Sequence, residues 1–222
     1  MVKKVLLMTV AAVCCLTVLV GGVWCSTRCS SSPCTEVSIV VKDSLKRHFV
    51  DATEIEGYLK SKGCYPLGDS MRLVDCHSIE QCLLNHDMVR KAECYQSPFG
   101  KVSIMIYQRI PVMGVVSNDG CYYVDTERRV MPVRGEMDNS LLILRGALSE
   151  RAAREEYYDF VEWLRADEYW STRIRDIYVH NPKNLVLRQK ELKAKIILGE
   201  LDGYAGKMEK LRVLYTQGLD EI

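Results

Sequence analysis

Along most of the chain, apolar residues alternate with polar ones or recur every three or four positions, but the first apolar run does neither. From Val5 to Trp24 there is no charge, and the polar interruptions are Thr9 and Thr17. A helix of that length rises about 30 Å, the thickness of a bilayer's hydrocarbon core. Lys3 and Lys4 precede it, so the positive-inside rule keeps residues 1–4 in the cytoplasm and sends the rest across. Trp24 suits an interfacial anchor. A cleaved signal has a shorter apolar core and small residues at the cut. A lipoprotein signal wants a small residue before its cysteine, whereas Val13 and Trp24 precede Cys14 and Cys25. The pattern predicts a retained transmembrane helix over 5–24, followed by a small, polar tether over 25–35.

The pattern then predicts a strand over 36–42. Asp51 and Glu54 have capping-box spacing ahead of a helix bearing Ile55, Tyr58 and Leu59 on one face, with Gly63 ending it. A second helix starts near His77 or Ser78, with Ile79, Cys82 and Leu83 inward. Strands follow over 88–96 and 101–108, joined by Ser-Pro-Phe-Gly, and Val102, Ile104 and Ile106 share one side of the second. Residues 36–110 thus form a small β-α-α-β-β unit of α+β type.

Beyond Arg109-Ile-Pro111 the expected strands shorten. Residues 112–117 run into Asn-Asp-Gly at 118–120, a strong hairpin signal, and strands return over 122–125, 129–133 and 141–144. Ser149 caps a helix with Ala153, Tyr157, Phe160 and Leu164 on its apolar face. Three more strands are expected at 174–179, 185–188 and 193–198, then a helix over 202–215 burying Tyr204, Met208, Leu211 and Tyr215. Residues 111–222 therefore predict a mainly antiparallel, meandering β domain with helices on one face.

Composition adds little. A net charge of +1 over 222 residues gives no drive toward nucleic acid. The chemistry is equally sparse. Cys76, His77, Cys82 and His86 form the only His/Cys cluster worth weighing, yet without paired Cys-x-x-Cys knuckles it reads as an inward cysteine and an outward histidine on the second helix. No nucleophile elbow, phosphate loop or His-Glu-x-x-His appears, so no catalytic residue, cofactor, metal or small-molecule substrate is expected. Eight of the ten cysteines follow the apolar run. In an oxidising compartment an even number invites disulfides, while their scatter through apolar patterns suits packing residues. What remains is binding: a small sheet has open edges to which an extended partner can add a strand.

The order of these elements, with particular residues in them, resembles the FtsQ/DivIB cell-division proteins, above all their Bacteroidetes-type members. Val41-Lys-Asp-Ser-Leu-Lys-Arg-His-Phe-Val50 is similar to the opening of that family's POTRA (polypeptide-transport-associated) domain. Ala92-Glu-Cys-Tyr95 and Ile106-Tyr-Gln-Arg-Ile-Pro111 resemble its end and the crossing into the family's β domain. Tyr122-Tyr-Val-Asp125 with Val130-Met-Pro-Val133 resembles that domain's first hairpin, and Ile196-Ile-Leu-Gly199 with Lys207-Met-Glu-Lys-Leu211 its late strand and helix. Arg109, Pro111, Tyr123, Asp125, Leu198, Gly199, Lys207 and Leu211 are the family-motif positions, structural or partner-related.

The resemblance implies a non-enzymatic scaffold in the inner membrane, its bulk periplasmic, gathered at the septum. It further implies FtsB-like and FtsL-like single-pass partners, recruitment through the POTRA unit and strand addition at the β domain. Family members continue past the last helix into a final strand, whereas this sequence ends at Gly218-Leu-Asp-Glu-Ile222. The expectation is a β domain lacking that strand, with residues 193–198 as an exposed edge. The alternative is another POTRA-containing envelope assembly or secretion component, although those usually carry several such units and a barrel.

Overall fold

A computed structural model of the chain describes residues 13–18, 32–42, 49–190 and 194–219. Residues 13–18 are helical and expose Val13, Leu16 and Val18. Among the described residues no helix is long and apolar enough to cross a membrane, and the rest of the anchor expected over 5–24 lies outside them. The chain divides into two compact units, Met1–Gln108 and Arg109–Ile222.

In the first unit, three strands and two helices follow one another as β1 (Glu36–Lys42), α1 (Ala52–Ser61), α2 (Cys76–Leu84), β2 (Val89–Ser97) and β3 (Lys101–Gln108). β3 is central, parallel to β1 and antiparallel to β2. That arrangement follows from the connections, since a tight turn at Pro98–Gly100 can only reverse the chain while a crossover is needed to make strands parallel. Val102, Ile104 and Ile106 alternate from β3 into the core and meet Ile55, Leu59, Ile79 and Leu83 from the helices. Asp51 caps α1 by accepting the Glu54 N–H at 2.7 Å. Gly63 leaves α1 with φ +69°, a turn that favours glycine. Residues 32–35, assigned to the tether by their composition, are stitched to the loop behind them. The Cys34 N–H bonds the Asp69 carbonyl at 2.7 Å, and the Met71 N–H bonds Ser32 at 2.9 Å.

The expected outward His86 is corrected here. It lies past the end of α2, buried, with its Nδ1 accepting the Met88 N–H and its Nε2 3.3 Å from the Glu54 carboxylate. Cys82 is only half-buried.

The second unit is one seven-stranded sheet in the order β10-β9-β8-β7-β4-β5-β6. Its strands are β4 (Pro111–Ser117), β5 (Gly120–Asp125), β6 (Val130–Pro132), β7 (Leu142–Gly146), β8 (Ile174–Asn181), β9 (Asn184–Gln189) and β10 (Lys195–Gly199). Four of its pairings are antiparallel, but β7 runs parallel to both β4 and β8. The simple meander is therefore broken at the middle of the sheet. Three short helices, α3 (Glu150–Glu155), α4 (Tyr158–Ala166) and α5 (Glu168–Arg173), carry the chain from β7 to β8, and this crossover makes the two strands parallel.

The single helix expected after Ser149 is two. The Tyr157 N–H reaches back five residues to the Ala152 carbonyl at 3.1 Å, widening the turn before α4 begins. Tyr157 and Tyr158, on either side of that break, are both buried. A last helix, α6 (Tyr204–Leu214), buries Met208 and leads to buried Tyr215. All four helices share one core with the sheet, in which Phe160 meets Tyr204 and Trp170 meets Tyr215, ring edge to ring face.

Candidate functional site

The family-motif positions fall into two groups that the strand order keeps apart, because β7, β8 and β9 lie between β4 and β10. The first group is interior. Arg109 Nη1 donates to Asp125 Oδ2 at 2.6 Å, and neither side chain is more than 5% exposed. The other Asp125 oxygen accepts the N–H groups of Glu127 and Arg129 at 2.8 and 2.7 Å, which closes the turn after β5. Pro111 opens β4 opposite Asp125, and the Tyr123 hydroxyl accepts the Asp138 N–H at 2.7 Å. A buried ion pair with its remaining lone pairs filled defines a geometry and offers a partner nothing. This group holds the unit's opening hairpin together.

The second group lies at the sheet's edge. β10 pairs with β9, and among the described residues no strand covers its other side. Ile196 and Leu198 turn inward and are buried, while Ile197 points out and is 76% exposed. The register slips between Ile197 and Gly199, and Gly199 takes φ +78°, so the strand ends in a bulge. Such bulges bend an edge and re-aim its last side chains. Lys207 on α6 donates to the Glu200 carbonyl at 2.7 Å, tying the helix to the end of β10. Leu211 is half-buried against the core. Behind the edge the scaffold is firm. Gln189 Nε2 donates to the Tyr215 hydroxyl at 2.6 Å, and Arg212 binds Asp167, the residue that caps α5. An open strand end on a rigid backing is suited to taking a further strand by main-chain hydrogen bonds.

The comparisons with known proteins match both units. Residues 32–107 match the POTRA-like domain, and residues 110–222 match the FtsQ/DivIB, C-terminal related domain. The chain belongs to the FtsQ/DivIB family. No curated protein matches it. As a member of this family the chain is associated with the divisome, and domains of these two kinds are in general non-catalytic.

In this FtsQ/DivIB chain the Cys/His cluster separates. Cys82 neighbours Cys64 and Cys76 neighbours Cys94, His86 turns to Glu54, and His77 is exposed at the start of α2. Among the described residues no three His, Cys, Asp or Glu side chains are placed to share a metal ion.

Sequence reasoning missed Asp176. It sits on β8 between core residues Ile174 and Ile177, yet it turns to the other face of the sheet and is buried there. Arg145 on β7, Arg175 beside it and Arg188 on β9 all bond its carboxylate, at 3.0, 2.9 and 3.1 Å. Burial would raise its pKa, but the three guanidinium hydrogen bonds outweigh that, and the carboxyl titrates below its ordinary value. The available signal was an acid inside an apolar strand, with Arg188 directly opposite it on β9 and Arg145 two residues along from its partner Ile143 on β7.

Proposed function

We propose that the chain is a non-enzymatic bitopic scaffold of the bacterial divisome, joining early and late septation proteins through contacts outside the cytoplasm. Residues 5–24 anchor it in the inner membrane with its N-terminus cytoplasmic, 25–35 lead out of the membrane with residues 32–35 already stitched to the first unit, 36–110 recruit it to the septum, and 111–222 hold its partners. Those partners are FtsB-like and FtsL-like single-pass proteins, which approach the β domain in the periplasm. One adds a strand to β10, and the outward Ile197 supplies the side-chain contact.

The observation that carries this reading is the edge itself: β10 has β9 on one side, no described strand on the other, and an isoleucine facing out. Exposed edges are usually blunted by charge or proline, and an exposed Ile197 is the opposite choice.

A photo-crosslinking residue at position 197 of the full-length protein tests the assignment in dividing cells. Adducts with an FtsB-like or FtsL-like protein are expected, together with midcell fluorescence of a tagged chain. Uniform envelope fluorescence, with no adduct at 197 while a residue elsewhere on the chain captures the partner, would overturn it.

A further inference from the structure

Four cysteines of the POTRA-like unit stand in two pairs. Cys64 follows α1, its N–H bonded to the Leu59 carbonyl at 2.9 Å, and its side chain neighbours that of Cys82 near the end of α2. Tyr58 on α1 stands edge to face with His86, just past the end of α2, at 4.8 Å, which brings the two helix ends together. Cys76 is the first residue of α2, and its side chain neighbours that of Cys94 on β2. Two bonds bracket this second contact. The Cys94 N–H donates to Glu80 Oε1 at 2.7 Å, and Gln96 Nε2 donates to the Val74 carbonyl at 2.6 Å. These contacts bring the four free thiols together as two neighbouring pairs, the placement an S–S bond of about 2.0 Å requires.

We infer that Cys64–Cys82 and Cys76–Cys94 are two disulfides of the mature protein, which pin α2 to α1 at one end and to β2 at the other. The inference rests on the export of this unit, since such bonds persist only in an oxidising compartment. The oxidant is the disulfide of an oxidised dithiol exchange protein. For each pair, one cysteine thiolate attacks that disulfide to give a mixed disulfide. The second cysteine, losing its proton, displaces the oxidant's thiolate, so the oxidant leaves as a dithiol and the chain loses two hydrogens. Cys64, Cys76 and Cys82 are half-buried and within reach of an exchange partner, whereas Cys94 is buried. Cys76, the outer member of the second pair, is therefore the one that attacks the oxidant first. Burial pushes the Cys82 thiol up to about 11 and the Cys94 thiol higher still. The two pairs interleave along the chain, so the loop each bond closes contains one cysteine of the other pair.

The test uses the full-length protein in detergent, equilibrated with oxidised glutathione and then alkylated and digested without reductant. Linked peptides joining Cys64 to Cys82 and Cys76 to Cys94 are expected, with a Tm about 10 °C higher than that of the reduced protein. Four alkylated thiols, or different connectivity such as Cys34 to Cys94, would overturn the inference. The same mapping on cells quenched with alkylator separates it from the export reading. Bonds in vitro but free thiols in cells would keep the pairing, overturn its being bonded in the mature protein and remove the export on which that bonding rests.

Discussion

Arg109 and Asp125 meet at 2.6 Å with almost no solvent at either side chain. The carboxylate fastens the first residue of the β domain to the end of β5, and its second oxygen organises the following turn. Removing one partner leaves the other buried and uncompensated. Asp125→Ala is expected to destabilise the protein by about 3–5 kcal/mol, with Arg109→Ala close behind. The double variant should cost less than the sum of the two. Urea unfolding of the purified chain measures all three, and simple additivity would show that the pair does not act as a unit.

Gly146 ends β7 with φ +123°, and a Cβ there would come within 2.1 Å of the Val179 carbonyl oxygen on β8. The obstacle is backbone and cannot swing aside. Gly146→Ala should cost about 4 kcal/mol or more, seen as lost near-ultraviolet circular dichroism and poor recovery of soluble protein. Gly120→Ala, at φ +124° but with nothing within 4 Å of the added carbon, isolates the backbone strain from the clash and should cost far less.

Asp176 titrates below its ordinary 3.8 in the folded state. The folded form therefore binds that proton less readily than the unfolded form. Its contribution to stability is complete above the unfolded value and is lost as pH falls through the lower, folded one. Wild type should exceed Asp176→Asn in stability near neutrality, and the gap should close below about pH 4. Urea midpoints of both proteins from pH 7 to about pH 2.5 check this. A gap that stays constant would assign the loss to packing rather than charge.

Ile197→Lys places a charge on the outward face of β10 without touching the core. Thermal stability should move by less than about 0.5 kcal/mol, while capture of the co-expressed FtsB-like and FtsL-like proteins should fall at least tenfold. Equal capture would place the binding surface elsewhere on the chain.

Legibility in the sequence followed the reach of each physical signal. β1 and β3 could be read because their apolar residues alternate against a half-buried helix layer, and α1 because Asp51 and Glu54 mark its start. The signal failed where the cause is not local. Nothing in Leu142–Gly146 reveals that both neighbours run parallel to it, since period-two patterning fixes faces and not partners. The helix after Ser149 splits where the Tyr157 N–H reaches back to the Ala152 carbonyl, a break that the spacing of apolar residues does not register. α5 is too short for its spacing to register. His86 fell outside helical periodicity because α2 ends at Asn85. The edge at β10 was visible as a strand, while the separation of Asp125 from Leu198 across the sheet needed the strand order.

That order also sets a timetable. Strands β4 to β6 close by successive hairpins, and β9 pairs antiparallel with β8 and β10, but β7 must find β4 past the intervening β5 and β6 and wait for three helices before β8 can join it. Distant pairings repay their loop entropy late. Val124→Ala in β5 should therefore slow refolding, whereas Ile143→Val in β7 should mainly speed unfolding. The strand that ends up most sheltered is the one left waiting longest, and a newly emerging chain would need its protection from aggregation there rather than at its permanent edge.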